Sequence, residues 1–104
     1  MSENDVAALG FVDIDNFKSV NDIYGHEIGD FWICEIATVL QEMCDSSDIA
    51  CRYGGDEYIF SLQNTGNLDE LTERVESFRK KVHDKAAERE QDVHCSIGIY
   101  QVKG

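Results

Sequence analysis

The sequence lacks proline, has few basic side chains and contains no long apolar run. Nine lysine and arginine residues stand against 21 aspartate and glutamate residues in 104, which gives a net charge of −12. Because nucleic acids and anionic membranes select basic surfaces, this charge disfavours both as general partners. No stretch of about 18 apolar residues is present, so we expect no membrane contact by this domain.

Cysteine and histidine are too scattered for common structural sites. The four cysteines form no C-x-x-C pair, and the three histidines complete no zinc pattern. We therefore expect free thiols in a cytoplasmic domain, whose parent protein is still free to carry a membrane anchor. The length, with no internal repeat or linker, predicts one domain over residues 1–104.

The spacing of apolar residues predicts four strands and three helices. The predicted strands cover residues 6–14, 49–53, 58–62 and 93–99, and the helices cover 17–24, 28–44 and 68–86. This order indicates an α+β fold of the ferredoxin-like βαββαβ type, in which helices pack on one face of an antiparallel sheet.

Two acidic pairs stand where this topology brings strand ends together. Asp13 and Asp15 close the first strand, and Asp56 and Glu57 follow Gly54-Gly55 in a hairpin. The first and third strands are central neighbours in a ferredoxin-like sheet, so we expect these carboxylates to converge. Converging carboxylates repel one another, and a hard divalent cation such as Mg²⁺ relieves that repulsion.

Each of these residues also has a simpler interpretation. Asp15 could cap the short helix, and Gly54-Gly55 could form only a type I′ hairpin turn. Lys18 alone is an ordinary surface lysine. Together, however, the helix-opening amides after Asp15, the adjacent Lys18, the carboxylates and the close backbone approach that glycine permits are typical of metal-assisted nucleotidyl transfer.

Four motifs stand in order along the chain: DIDNFK at 13–18, NDIYGHEIGD at 21–30, RYGGDEY at 52–58 and SIGI at 96–99. With them the chain resembles a GGDEF domain, the diguanylate cyclase family of bacterial signalling, which is similar in fold to the palm of class III nucleotide cyclases. The resemblance implies that two GTP molecules condense to cyclic di-GMP, with loss of two pyrophosphates, across a homodimer. It also implies sensor or other signalling domains on the same parent chain.

The resemblance implies a metal site and catalytic residues. Asp13, the carbonyl of Ile14 and Asp56 would ligate Mg²⁺, or Mn²⁺ in its place, with Glu57 supporting the site. Asp56 would also assist deprotonation of the 3′-hydroxyl. Glu57 and Lys18 complete the catalytic set, since a lysine steadies phosphate charge as it develops.

The resemblance likewise implies contacts with the substrate. The substrate-binding residues would be Asn16, Phe17, Lys18, Asn21, His26, Asp30 and Gly55. The amides of Asn16 and Phe17 would hold phosphates, whereas Asn21 and Asp30 would read the guanine edge with His26 nearby. In the simpler interpretation, Asn21 and Asp30 only cap helices and His26 shapes a turn.

The sequence departs from the family pattern in three respects. Tyr58 replaces the usual phenylalanine, a conservative change if its hydroxyl finds a partner. The product-inhibition motif Arg-x-x-Asp begins with Asp45 and ends with Asp48, so we expect no high-affinity feedback site there. The usual N-terminal helix with its Asp-x-Leu-Thr-Gly-Leu segment, and the C-terminal helix with its triphosphate-binding lysine and arginine, are absent from residues 1–104. We therefore expect catalysis in the full-length parent, with the activity of the fragment left open.

Two other functions remain as alternatives. A catalytically silent GGDEF domain would bind GTP or regulate a neighbouring domain without forming product. An RNA-recognition module shares the βαββαβ order and an aromatic-glycine strand motif like that at residues 52–55, but the acids that follow disfavour it.

Overall fold

A computed structural model describes residues 6–63 and 67–103 of the chain. Its elements are β1 (Val6–Ile14), α1 (Phe17–Tyr24), α2 (His26–Met43), β2 (Ile49–Gly54), β3 (Glu57–Leu62), α3 (Leu68–Glu88) and β4 (Cys95–Lys103). Each predicted strand and helix is therefore present, with ends shifted by a few residues. In this described part of the chain, no helix is long and apolar enough to cross a membrane.

The four strands form one antiparallel sheet in the order β2-β3-β1-β4. The predicted ferredoxin-like α+β fold is confirmed. The first crossover contains both α1 and α2, divided by Gly25, whose φ of 92° and ψ of 160° favour glycine. Because β1 is central, the residues at its end lie beside both neighbouring strands.

The helices pack on one face of this sheet. The largest fully buried side chains come from strands and helices alike: Val12, Ile14, Tyr58, Phe60, Leu62, Trp32, Ile36, Val39, Leu40, Leu71, Phe78 and Val82. Leu9 and Phe11 alternate with the buried residues of β1 and remain 38% and 42% exposed on the opposite face. The Tyr58 hydroxyl donates a 2.6 Å hydrogen bond to the carbonyl of Ile33 inside the core, as the sequence predicts.

The α1–α2 corner corrects the capping interpretation of two polar residues. α2 begins at His26, before the predicted residue 28, and Gly25 is its N-cap. Asp30 lies inside α2 and Asn21 lies inside α1, so neither residue caps a helix. All four cysteines are free thiols, which confirms the sequence expectation.

Asp48 ties the α2–β2 connection to the rest of the domain. Its solvent-inaccessible carboxylate accepts hydrogen bonds from the N–H groups of Asp45 and Gln63, both at 2.7 Å, and from Nη2 of Arg74 at 3.0 Å. Burial raises the pKa of Asp48, but these three donors outweigh it and hold the pKa below its ordinary value. The carboxylate that ends the Arg-x-x-Asp position is thus already used by the fold.

We predict that Asp48→Ala destabilises the domain by about 3 kcal/mol, because it leaves two amides and a guanidinium without their acceptor. Urea unfolding measures this change. The exposed neighbour provides the control: Asp45→Ala should change the free energy of unfolding by less than about 0.5 kcal/mol. Since the pKa of Asp48 is depressed in the folded state, its contribution is present at neutral pH and disappears as pH falls through the folded pKa. Equal losses in both variants would contradict this role.

Candidate active site at the end of the central strand

The end of β1 meets the β2–β3 hairpin at the centre of the sheet. Asp13 is the register partner of Glu57, and the N–H of Ile14 donates a 3.1 Å hydrogen bond to the carbonyl of Asp56. The two acidic pairs expected to converge are therefore brought together by strand pairing.

Asp13 bears the electrostatic consequence of this convergence. Partial burial raises the pKa of Asp13, and the Asp56 carboxylate within hydrogen-bonding reach raises it further, as do the charges of Glu57 and Asp15. Among residues 6–63 and 67–103, no three His, Cys, Asp or Glu side chains form a ready ligand set for a metal. A cation here would thus rely on Asp13 and Asp56 together with backbone oxygen and water or substrate oxygens.

Three consecutive carbonyls of the hairpin turn accept hydrogen bonds. Nε of Arg52 donates to the carbonyl of Gly54 at 3.1 Å and to that of Gly55 at 3.0 Å, while Ile14 holds the carbonyl of Asp56. The type I′ interpretation is wrong, since positive φ in the described residues occurs at Asn16, Gly25 and Glu90 rather than in this turn. A Cβ at Gly55 would meet nothing within 4 Å, so the outer side of the turn is open.

The segment after β1 opens α1 without a side-chain cap. Asn16 is its N-cap in the left-handed conformation, with φ of 50°, and makes no capping hydrogen bond through its side chain. Asp15 instead accepts a hydrogen bond from Ser96 on β4, so its predicted capping role is wrong. The amides of Asn16 and Phe17 lie at the open start of the helix, and Lys18 is exposed in its first turn.

The predicted guanine-reading residues share the α1–α2 corner. Asn21 packs against α2 at Gly29, and His26 and Asp30 are both exposed one helical turn apart.

A separate cleft of about 410 Å³ on the open face of the sheet is lined by Phe11, Asp13, Tyr53 and Glu57 among others. A larger cleft, of about 770 Å³, lies between α3 and β4 and borders Asp15. Its volume alone does not make it the chemical centre, because the converging carboxylates lie elsewhere.

Arg52 is the residue at this site whose role sequence reasoning missed. It stands two positions before a double glycine, and that spacing lets a long side chain reach back to the turn carbonyls.

We predict that Arg52→Ala destabilises the domain by about 1 kcal/mol and speeds hydrogen exchange of the turn amides, because two carbonyl contacts are lost. Arg79→Ala, which removes an exposed pair with Glu76 at 3.7 Å, is the matched control. Unchanged exchange in the turn would contradict the role of Arg52.

We also predict that Asp13→Asn stabilises the metal-free domain against heat. Its raised pKa means that the charged carboxylate opposes folding at neutral pH, and this unfavourable contribution weakens as pH falls through the folded pKa. Thermal unfolding in a chelator should show a higher Tm for the variant at neutral pH and a smaller difference in acid. A lower Tm at neutral pH would mean that Asp13 makes a stabilising contact instead.

Comparison with known proteins identifies the family. The family model described as "Diguanylate cyclase, GGDEF domain" matches residues 1–104. Diguanylate cyclase A of Treponema denticola is 34% identical over 100 residues, which are 93% of this chain and 27% of that protein. Diguanylate cyclase DosC of Escherichia coli is 37% identical over 90 residues, covering 85% of this chain and 19% of that protein.

Solved structures agree with this match. The GGDEF domain of DgcB from Caulobacter crescentus, in complex with c-di-GMP, superposes with a TM-score of 0.81 at 27% identity, covering 95% of this chain and 61% of that one. The active GGEEF domain of a diguanylate cyclase from Vibrio cholerae gives a TM-score of 0.71 at 26% identity, covering 96% of this chain and 64% of that one. The chain thus spans only part of each relative, and it belongs to the GGDEF-domain family of diguanylate cyclases.

Proposed function

We propose that this chain is the core of a diguanylate cyclase domain that condenses two GTP molecules to cyclic di-GMP with release of two pyrophosphates. The observation that carries the proposal is the apposition of Asp13 to the hairpin acids Asp56 and Glu57. Membership of a family whose relatives are named diguanylate cyclases supports it. A domain that only docked a partner would have no chemical reason to hold carboxylates against one another.

The donor set at this point fits Mg²⁺. Asp13, Asp56 and the carbonyl of Ile14 offer hard oxygen donors, and Glu57 lies beside them. Partial burial together with the neighbouring carboxylates raises the pKa of Asp13, a cost that a bound cation would offset. When bound, Mg²⁺, or Mn²⁺ in its place, supplies neutralisation of charge on the reacting phosphate and acidifies the attacking hydroxyl.

The residues of the chain then have distinct tasks in the reaction. Asp56 accepts the proton of the 3′-hydroxyl as O3′ bonds to the α-phosphorus of the GTP held by a second copy. The bond from that phosphorus to the bridging oxygen breaks and pyrophosphate leaves; the reciprocal attack closes the ring and releases the second. Lys18 and the amides of Asn16 and Phe17 steady the phosphate oxygens. Because each copy holds one GTP, the reaction needs a homodimer.

The α1–α2 corner would select guanine. Asp30 would accept from N1–H and N2–H of the base, and the Asn21 amide would donate to O6, while His26 lies at the start of the same helix. Adenine offers the reverse pattern at this edge and would leave the polar groups mismatched. The exposed Gly55 lets the hairpin backbone approach the ligand closely.

Two relatives bear on how the domain is regulated. DgcB from Caulobacter crescentus binds c-di-GMP, and SiaD from Pseudomonas aeruginosa forms a complex with its activator SiaC. For this chain we expect an activating domain or partner on the parent protein, with this domain in the cytoplasm. We expect no tight product site at the Arg-x-x-Asp position, because Asp45 replaces the arginine and Asp48 is already bound to Arg74.

The deciding experiment follows product formation from GTP and Mg²⁺ by the full-length parent, supplied with its activating signal. We predict that Asp56→Ala lowers the rate at least about 100-fold, because both proton transfer and metal binding suffer. Asp45→Ala is the matched acidic control and should retain the rate. A folded, dimeric wild type that binds GTP yet forms no product would replace the cyclase proposal with that of a GTP-binding regulatory module.

A further inference from the structure

Gly29 is a buried glycine inside helix α2, where its backbone conformation does not require glycine. A Cβ built at this position would lie 1.8 Å from Oδ1 and 2.9 Å from Cγ of Asn21. The side chain of Asn21 therefore occupies the space that any side chain at position 29 would fill. Glycine within a helix is destabilising relative to alanine, so this gap needs a reason.

Asn21 is fixed on both its backbone and its side chain. Its carbonyl accepts a 2.8 Å hydrogen bond from the N–H of Gly25, the residue that divides α1 from α2. Its Oδ1 is buried against Gly29 without a hydrogen-bond partner. The N–H of Gly29 cannot satisfy it, because that group donates to the carbonyl of Gly25 at 3.1 Å. A buried acceptor without a partner is unfavourable and indicates a constraint other than stability.

We propose that Gly29 is a positioning residue for guanine selection, and this inference rests on the proposed function. The notch at Gly29 holds the amide oxygen of Asn21 inward, which leaves Nδ2, a donor, as the end of the amide that can face a base. Gly29 also immediately precedes Asp30 on α2, so the notch brings α1 close to the acidic member of the pair. An Nδ2 group fixed in this orientation donates to guanine O6 but cannot pair with the amino group of adenine, which is itself a donor.

The test compares nucleotide selection rather than activity alone. In the full-length parent we expect Gly29→Ala to weaken GTP binding about tenfold while ATP binding stays unchanged, because the new methyl group displaces Asn21. Gly98→Ala is the matched control, since a Cβ there would meet nothing within 4 Å. It should preserve the GTP-to-ATP preference.

A double-mutant cycle keeps the inference testable if Gly29→Ala alone folds poorly. Asn21→Ala should lose the preference for GTP, and adding Gly29→Ala to it should cause no further loss and should fold, because the clash has been removed. The remaining neighbour, Cζ of Phe17, would lie 3.3 Å from the new Cβ, which a small shift accommodates.

Four results would overturn the inference, and they are distinguishable. Unchanged selectivity in a folded Gly29→Ala variant, or a double variant that still fails to fold, would show that Gly29 does not act through Asn21. Unchanged selectivity in Asn21→Ala, with an active wild type, would remove Asn21 from base recognition while leaving the cyclase reaction in place. A wild type that neither binds GTP nor forms cyclic di-GMP would instead overturn the proposed function, and this inference with it.

Discussion

The antiparallel pairing of β1 with β3 is the constraint on which the candidate site depends. It sets Asp13 opposite Glu57 and brings the N–H of Ile14 to the carbonyl of Asp56. The pairing is fixed from the other side, because Val12 and Tyr58 are register partners buried beneath the helices. A slip of one residue would expose these core side chains and bury the acids, so the hydrophobic pattern of the strands also positions the charges.

The hydrophobic core therefore compensates for repulsion at the edge of the site. Like charges across a strand pair are unfavourable, and the pKa of Asp13 is raised by partial burial and by these neighbouring carboxylates. Tyr58 adjoins the acids in sequence yet lies 1% exposed, with its hydroxyl bound to Ile33 on α2. Arg52 and Ile14 meanwhile hold the turn carbonyls in place. This support holds the carboxylates closer together than their mutual repulsion would allow in water.

The sequence was sufficient to predict the elements because periodicity reports burial, which is local along each strand or helix. It also predicted that the two acidic pairs meet, since strand order follows from the fold class. Sequence-based prediction failed where a polar side chain can form hydrogen bonds with both near and distant parts of the chain. Asp15 binds Ser96, far along the chain, rather than the adjacent helix, and the turn at Gly55 is shaped by Arg52 rather than by left-handed glycine geometry. The notch at Gly29 was likewise invisible, because a glycine in a helical pattern carries no signal about what fills its place.

Two aspartates illustrate how the fold places negative charge in opposite surroundings. Asp48 is buried among three donors, and its pKa lies below the ordinary value, so ionisation favours the folded state. Asp13 is more exposed but faces other carboxylates, and its pKa lies above the ordinary value, so ionisation opposes folding. In a chain of net charge −12, a negative charge by itself does not distinguish the role of one carboxylate from that of another. What distinguishes the two is the charge around them: Asp48 is paired with donors of its own protein, whereas Asp13 faces carboxylates whose charge the strand pairing does not neutralise.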